Sequence, residues 1–271
     1  MPELPEVETT RRGIERALVG RRVRELHIYE ARLRWPIAHD LPHQLAGQRI
    51  LAVGRRAKYL LLQFERGTLI MHLGMSGSLR VLPARTPAGK HDQFDLVLED
   101  GALLRLNDPR RFGSIHYTSE APEQHKLLRH LAPEPFADDF NADYLWRITR
   151  GRRAAIKQVL MNGRLVTGVG NIYASEALFR ARVNPRRAAG RLTHAECAKL
   201  VRATRAVLTL AIRAGGTTLR DYVGPDGNPG YFRRRLYVYE RAGRACRVCG
   251  APVRRITQGQ RSTYLCSQCQ H

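Results

Sequence analysis

The stretch Phe94–Asn107 reads FDLVLEDGALLRLN. Phe94, Leu96 and Leu98 alternate with Asp95 and Val97, a mostly two-faced pattern of period two, and ALLRLN follows the pair Asp100-Gly101. Alternation of this kind predicts a strand. Asp-Gly between two such runs predicts a hairpin, because glycine tolerates the positive φ that a tight turn demands. Just upstream, YLLLQF (59–64) and LIMHL (69–73) flank ERGT in the same way. Residues 21 to about 118 therefore predict an antiparallel β-sandwich or barrel.

Outward from that core, the chain begins MPELPEVETTRR. Val7, Ile14, Ala17 and Leu18 give a helical stripe, Pro5 suits its first turn, Glu6 and Glu8 suit the positive end of its dipole, and Gly20 is a stop. Helix formation leaves Pro2 and Glu3 without a purpose. Removal of Met1 would make Pro2 a terminal secondary amine, and a free α-amino group has a pKa of roughly 8, so part of it is nucleophilic near neutrality. On these residues alone both readings stand.

In the other direction, residues 119–140 are rich in Pro, Glu and Asp around LAPEPFADDF (131–140), the composition of a linker. Beyond it the period changes to about 3.6. Ile156, Val159 and Leu160 form a stripe ending at Asn162-Gly163. Thr193 and Glu196 make a capping box, with Leu192 placed to staple onto Cys197. The helix that follows carries Leu200, Val201, Val207, Leu208 and Ala211 and stops at Gly215-Gly216, with Cys197 on its core stripe. An α+β chain of two domains is expected, divided as residues 1–130, a linker at 131–140, a helical domain at 141–235 and a terminal module at 236–271.

The 271 residues carry a formal charge of +22. A charge of that size points to a polyanionic partner, of which nucleic acid is the commonest. No apolar run approaches a membrane span, and the acidic start is unlike a signal peptide, so a cytoplasmic protein without membrane association is expected. Among 46 cations only Lys58, Lys90, Lys126, Lys157 and Lys199 are lysine. Arginine does not give up its proton in a protein, so each lysine that persists in so arginine-rich a chain is worth attention.

Four of the five cysteines close the chain as Cys246-Arg-Val-Cys249, sixteen residues, then Cys266-Ser-Gln-Cys269. Two such knuckles predict one four-thiolate zinc ion, structural because all four positions are filled by protein. The interval reads as two strands around Gln258-Gly259-Gln260, and its cations Arg254, Arg255 and Arg261 suit a β-ribbon reaching into DNA. Upstream, Gly168 and Gly170 precede Asn171, expected as the N-cap of a helix whose exposed N–H groups would hold a phosphate.

Together, MPELPEVE, RRAKYLLL, HLGMSGSLR, DPRRFG, GVGNIYASE, GGTTLRDY and the four-cysteine end closely resemble formamidopyrimidine-DNA glycosylase, of the helix–two-turn–helix superfamily, from Met1 to Gln270 in order. The sister enzyme endonuclease VIII usually begins Met-Pro-Glu-Gly-Pro, so Leu4 favours the oxidised-purine branch. The resemblance implies an N-terminal catalytic β-sandwich domain with a leading helix, a helix–two-turn–helix domain and a β-ribbon zinc finger. It implies a monomeric repair glycosylase and AP lyase acting on duplex DNA that contains oxidised purines or abasic sites. Pro2 is then the nucleophile that forms a Schiff base, Glu3 the acid at the deoxyribose, Lys58 a lysine near the reacting nucleotide and Arg261 the finger arginine of the final elimination. Met75, Arg110 and Phe112 match residues that fill the hole left by the flipped base; without the resemblance Met75 and Phe112 would be taken as core. His91, Arg110, Arg152 and Asn171 match DNA-contacting positions, and GGTTLRDYVGPDGNPGYF (215–232) the loop that closes over the base. Two departures stand out. Asn162 replaces a common Asp, and Arg152 replaces what is often lysine.

Overall fold

The computed structural model describes residues 2–217 and 232–271. They form two compact units, residues up to 129 with 214–217, and residues 130–213 with 232–271. No helix among the described residues is long and apolar enough to cross a membrane.

The first unit opens with α1 (Leu4–Leu18), followed by β1 (Val23–Ile28), α2 (Leu41–Leu45), β2 (Ile50–Arg56), β3 (Tyr59–Phe64), β4 (Gly67–His72), β5 (Ser78–Leu82), β6 (Asp92–Leu98), β7 (Leu103–Asn107) and β8 (Ser114–Thr118). Two four-stranded antiparallel sheets result, ordered β1-β6-β7-β5 and β2-β3-β4-β8. Leu96, Leu98, Leu104 and Leu106 of one sheet share a core with Leu60, Leu62, Leu69 and Met71 of the other, the sandwich expected from period two. Val7, Ile14 and Leu18 add the apolar stripe of α1 to the same core. The Asp100-Gly101 turn closes as a three-residue loop: the Leu98 N–H donates to the Ala102 carbonyl at 2.8 Å, and Asp100 Oδ1 accepts the Ala102 N–H at 3.1 Å.

One expectation changes in β6. Asp95, read as the polar face of the strand, is 2% exposed. Arg105 on β7 donates Nε and Nη2 to its two carboxylate oxygens at 2.7 and 2.6 Å, and the Tyr29 hydroxyl donates at 2.8 Å. The remaining Arg105 donors hold the Pro87 and Thr86 carbonyls, so residues 86–87 cover the strand and the ion pair is sealed beneath them.

The second unit contains α3 (Ala142–Thr149), α4 (Ile156–Leu160), α5 (Asn171–Arg180), α6 (His194–Arg213) and the ribbon β9 (Arg254–Gln258) and β10 (Arg261–Leu265). The capping box before α6 is present, with the Thr193 N–H on Glu196 Oε2 at 2.8 Å and the Glu196 N–H on Thr193 Oγ1 at 3.2 Å. Leu192 and Cys197 are both buried, and burial pushes the Cys197 thiol pKa up. Residues 131–140 do not hang free as a linker. Phe140 is fully buried, and Arg205 on α6 donates to the Pro135, Ala137 and Phe140 carbonyls at 2.9, 2.7 and 2.9 Å. Asn162 still supports its turn, since its Oδ1 accepts the Arg164 N–H at 3.0 Å much as an aspartate would.

Removing the guanidinium of Arg105 would leave a buried carboxylate without its counter-charge, a change that typically costs about 3–5 kcal/mol. Arg105→Met should therefore lower the thermal unfolding midpoint clearly, and adding Asp95→Asn should restore part of the loss. Equal midpoints for R105M and wild type would show that the pair is not a buried electrostatic contact.

Candidate active site and nucleic-acid interface

The N-terminal end of α1 is enclosed. Pro2 is buried, and Glu3 and Glu6 are 3% and 2% exposed. Glu3 is the N-cap in extended backbone and forms a reciprocal capping box with Glu6, whose Oε2 accepts the Glu3 N–H at 2.8 Å. Glu6 Oε1 accepts the Thr217 N–H at 2.7 Å. Glu6 is thus more than a dipole-favoured helix residue; it clamps the backbone beside Pro2 to the start of the segment 215–232. Gly216 permits this approach. Its φ is +82°, and a Cβ there would lie 3.1 Å from Glu6 Cγ and Oε1. Residues 218–231, the rest of the segment matched to the closing loop, lie outside the described residues.

Lys58 sits half-buried in the two-residue turn between the paired residues Arg56 of β2 and Tyr59 of β3. Arg55 donates Nη1 to the Ala57 carbonyl at 2.9 Å and Nε to Glu8 of α1 at 3.1 Å, which fixes that turn against the helix. Burial alone would raise the Glu8 pKa, but hydrogen bonds from Arg11 and Arg12 prevail and hold it below the usual carboxylate range. His72, opposite Tyr59 on β4, has its pKa lowered to about 4 by burial, with the charges of Lys58 and Arg34 adding to the shift. It is neutral at pH 7, and its Nδ1 accepts the Gly74 N–H at 3.0 Å.

Asp108, fully buried, joins the loops that carry the next group of residues. Its two carboxylate oxygens accept the Ser76 hydroxyl at 2.9 Å and the Gly113 N–H at 2.8 Å, while its own N–H donates to the His91 carbonyl at 2.9 Å. Gly74 has φ +64°, and a Cβ there would fall 2.4 Å from the Phe112 carbonyl carbon, so only glycine lets the two loops touch. Met75 and Phe112 consequently stand out at 37% and 44% exposure, rather than in the core. The Arg110 guanidinium lies over the Phe112 ring at 4.8 Å, and His91 is exposed beside the same loop. An apolar pair with an adjoining arginine can wedge into a base stack and donate to an unpaired base.

In the second unit, Gly170 is the cap of α5 and Asn171 its first helical residue, one position later than expected. The amide side chain is therefore free for longer-range bonds. Asn171 Oδ1 accepts from Lys157 Nζ at 2.6 Å, and Nδ2 donates to the Ser262 carbonyl of β10 at 3.1 Å. Lys157 is 1% exposed and also reaches Thr263 Oγ1 at 2.7 Å and the Ser262 carbonyl at 3.2 Å, so its three protons have three oxygen partners. The residue was one of the five lysines worth attention, yet its place between Ile156 and Leu160 gave no sign that it was buried. Its charge lies directly behind Asn171 and the glycine turn. Arg261 is exposed one residue before Ser262, after the positive-φ turn Gly259-Gln260. Arg152 does not join this cluster; it is exposed, and its Nε bonds the Ile148 carbonyl at the end of α3.

The Cys246, Cys249, Cys266 and Cys269 sulfurs all lie within 4.8 Å of one another. Tetrahedral Zn–S bonds of about 2.3 Å place sulfurs about 3.8 Å apart, and the Cys246–Cys269 and Cys249–Cys266 pairs stand at 3.9 and 3.4 Å. These residues fit one structural zinc ion. Glu176 of α5, unmarked by any motif reading, anchors the approach to this centre by accepting the Tyr237, Val238 and Tyr239 N–H groups, each at 2.9 Å. Burial raises its pKa and the three donors pull it back.

Comparison with known proteins covers the whole chain. Residues 1–115 match the formamidopyrimidine-DNA glycosylase N-terminal domain, residues 131–223 its H2TH domain and residues 243–271 the zinc finger found in FPG and IleRS. Formamidopyrimidine-DNA glycosylases of Thioalkalivibrio sulfidiphilus and Stutzerimonas stutzeri are 58% and 56% identical, each over 100% of both chains. The MutM (Fpg) crystal structure from Thermus thermophilus is similar at 42% identity and TM-score 0.88, over 99% of this chain and 98% of that one. Lactococcus lactis Fpg in complex with abasic-site DNA is similar at 30% identity and TM-score 0.90, over 100% of both. With its sandwich, its H2TH unit and its four-cysteine finger all matched in order, the chain belongs to the formamidopyrimidine-DNA glycosylase family.

Proposed function

We propose that this protein is a monomeric, cytoplasmic repair enzyme, a glycosylase and AP lyase that removes oxidised purines from duplex DNA and cleaves the strand. The observation that carries this reading is the enclosed start of α1, where Pro2 adjoins a buried carboxylate, Glu3, that Glu6 holds in place. With Met1 removed, the Pro2 nitrogen attacks C1′ of the flipped nucleotide and the bond to the damaged base breaks. Glu3 gives its proton to O4′ as the sugar ring opens, and loss of the amine proton leaves a cationic iminium. That electron sink acidifies C2′. Proton loss there expels the 3′ phosphate, a second elimination expels the 5′ phosphate, and water then releases Pro2.

The other residues take roles around this step. Lys58, on the turn pinned to α1, sits near the reacting nucleotide. Met75, Arg110 and Phe112 fill the gap left by the flipped base, and His91, Arg152 and Asn171 hold phosphates, with Lys157 adding positive charge behind Asn171. Arg261 assists the final elimination. In this reading the sandwich domain supplies the chemistry, and the helical domain and finger supply the grip. The Lactococcus lactis relative has been solved with DNA containing Fapy-dG, which supports the damaged-purine assignment. The same relative has been solved with DNA containing an oxidised pyrimidine, so pyrimidine release is the second reading.

Incubation with duplexes containing 8-oxoguanine or thymine glycol separates the two, and faster 8-oxoguanine release is expected. Glu3→Gln should cut base release about 10²-fold or more, the usual scale of a general acid, while lesion-duplex affinity stays within a few-fold. Unchanged release by E3Q would remove Glu3 from the chemistry. Cys266→Ser should unfold the finger and abolish cleavage, because the ligands of a structural zinc site hold its fold together; a fully active C266S protein would show that the metal is dispensable.

A further inference from the structure

A second surface of the helical unit has no part in this chemistry. A groove of about 700 Å³ runs between the C-terminal end of α5, the middle of α6 and the first knuckle of the finger. Its floor is apolar. Tyr237 stacks on the buried Phe179 at 5.4 Å between ring centroids, and Val248, 58% exposed, forms one wall. Arg180, Arg182, Lys199 and Arg202 form the rim, and no carboxylate lines the groove.

Two features separate this rim from the general excess of arginine. Lys199 and Arg202 are exposed three residues apart on one face of α6, and like charges at that spacing repel. Arg182 holds φ at +59°, a conformation that non-glycine side chains rarely adopt. The helix dipole accounts for cations at the end of α5. It does not account for the pair on α6. A bound anion offsets the repulsion between them, and a bound apolar group covers Val248 and Tyr237.

We propose that this groove docks a short acidic peptide segment of a partner protein, one that carries a large apolar side chain. The apolar residue sits against Tyr237 and Val248, and carboxylates beside it meet the cations of the rim. DNA fits less well. A phosphodiester backbone offers nothing apolar to fill the floor, and bases within a duplex are stacked away from it. Asn171 is at the other end of α5, about 13 Å away along the helix, so a partner held here leaves that residue uncovered.

The test uses the full-length, zinc-loaded protein and a fluorescein-labelled peptide, Glu-Asp-Asp-Leu-Phe-Asp-Glu-Leu-Glu, followed by anisotropy. A second peptide has serine in place of its leucines and phenylalanine, and a labelled DNA duplex is the third probe. The expected result is saturable binding of the first peptide. Arg202→Glu and Val248→Ser should each weaken it about fivefold or more, the serine peptide should bind at least fivefold more weakly, and duplex affinity should be unchanged in both variants. Equal binding of the two peptides, or no effect of either variant, would overturn the proposal by reducing the interaction to unspecific charge. So would a duplex affinity that falls in R202E while peptide binding stays constant, since the face would then belong to DNA. Cleavage of lesion DNA by both variants at the wild-type rate would establish that they are folded and that the repair chemistry stands apart from this groove.

Discussion

The Glu6 carboxylate accepts two backbone N–H groups from positions far apart in the chain, Glu3 at 2.8 Å and Thr217 at 2.7 Å. A buried carboxylate with both oxygens occupied in this way cannot shift without leaving an N–H unsatisfied, at a cost of about 1–3 kcal/mol each. That constraint sets the position of Pro2 and Glu3, and it also fixes where residues 215–217 begin the segment that the family uses over the flipped base. Gly216 is part of the same contact, because a side chain at its positive φ would collide with Glu6. The strand turn bearing Lys58 is tied to the same helix through Arg55 and Glu8. One helix end therefore organises the nucleophile, the acid and the base of the loop.

The second unit is organised on the same principle with the sign reversed. Lys157 is a buried cation whose three protons are shared among Asn171, Thr263 and the Ser262 carbonyl. The bonds join α4, α5 and β10, so the phosphate-facing amide and the finger arginine next to Ser262 are set by one ammonium group. Glu176 does similar work one layer away, where its carboxylate holds three consecutive N–H groups on the approach to the cysteines. Buried charges in this protein act as positioning devices, each fully satisfied and each joining segments distant in sequence.

What could be read from the sequence follows from this distinction between local and distant bonds. The β6–β7 hairpin, the Thr193–Glu196 capping box and the cysteine knuckles are local patterns, and their physical causes lie within a few residues. The burial of Asp95 was not legible, since an aspartate on an alternating strand looks the same whether it meets water or Arg105. Residues 131–140 have the composition of a linker, but Arg205 on α6 gathers their carbonyls and Phe140 fills the core. Lys157 and Glu176 were hidden for the same reason. Met75 and Phe112 could be placed on the surface only through the family resemblance, because periodicity assigns large apolar residues to the core. Their exposure depends on Asp108, which ties the two loops together.

The central claim is that Pro2 is a nucleophile and not merely the residue before a helix. Borohydride trapping on an 8-oxoguanine duplex, with the N-terminus of the zinc-loaded protein checked by mass, tests it most directly. A covalent adduct mapped to Pro2, formed by protein lacking Met1 and absent from protein that retains it, is the predicted result. An equal adduct from both preparations would move the linkage to another amine, and no adduct from correctly trimmed protein would remove the covalent mechanism altogether.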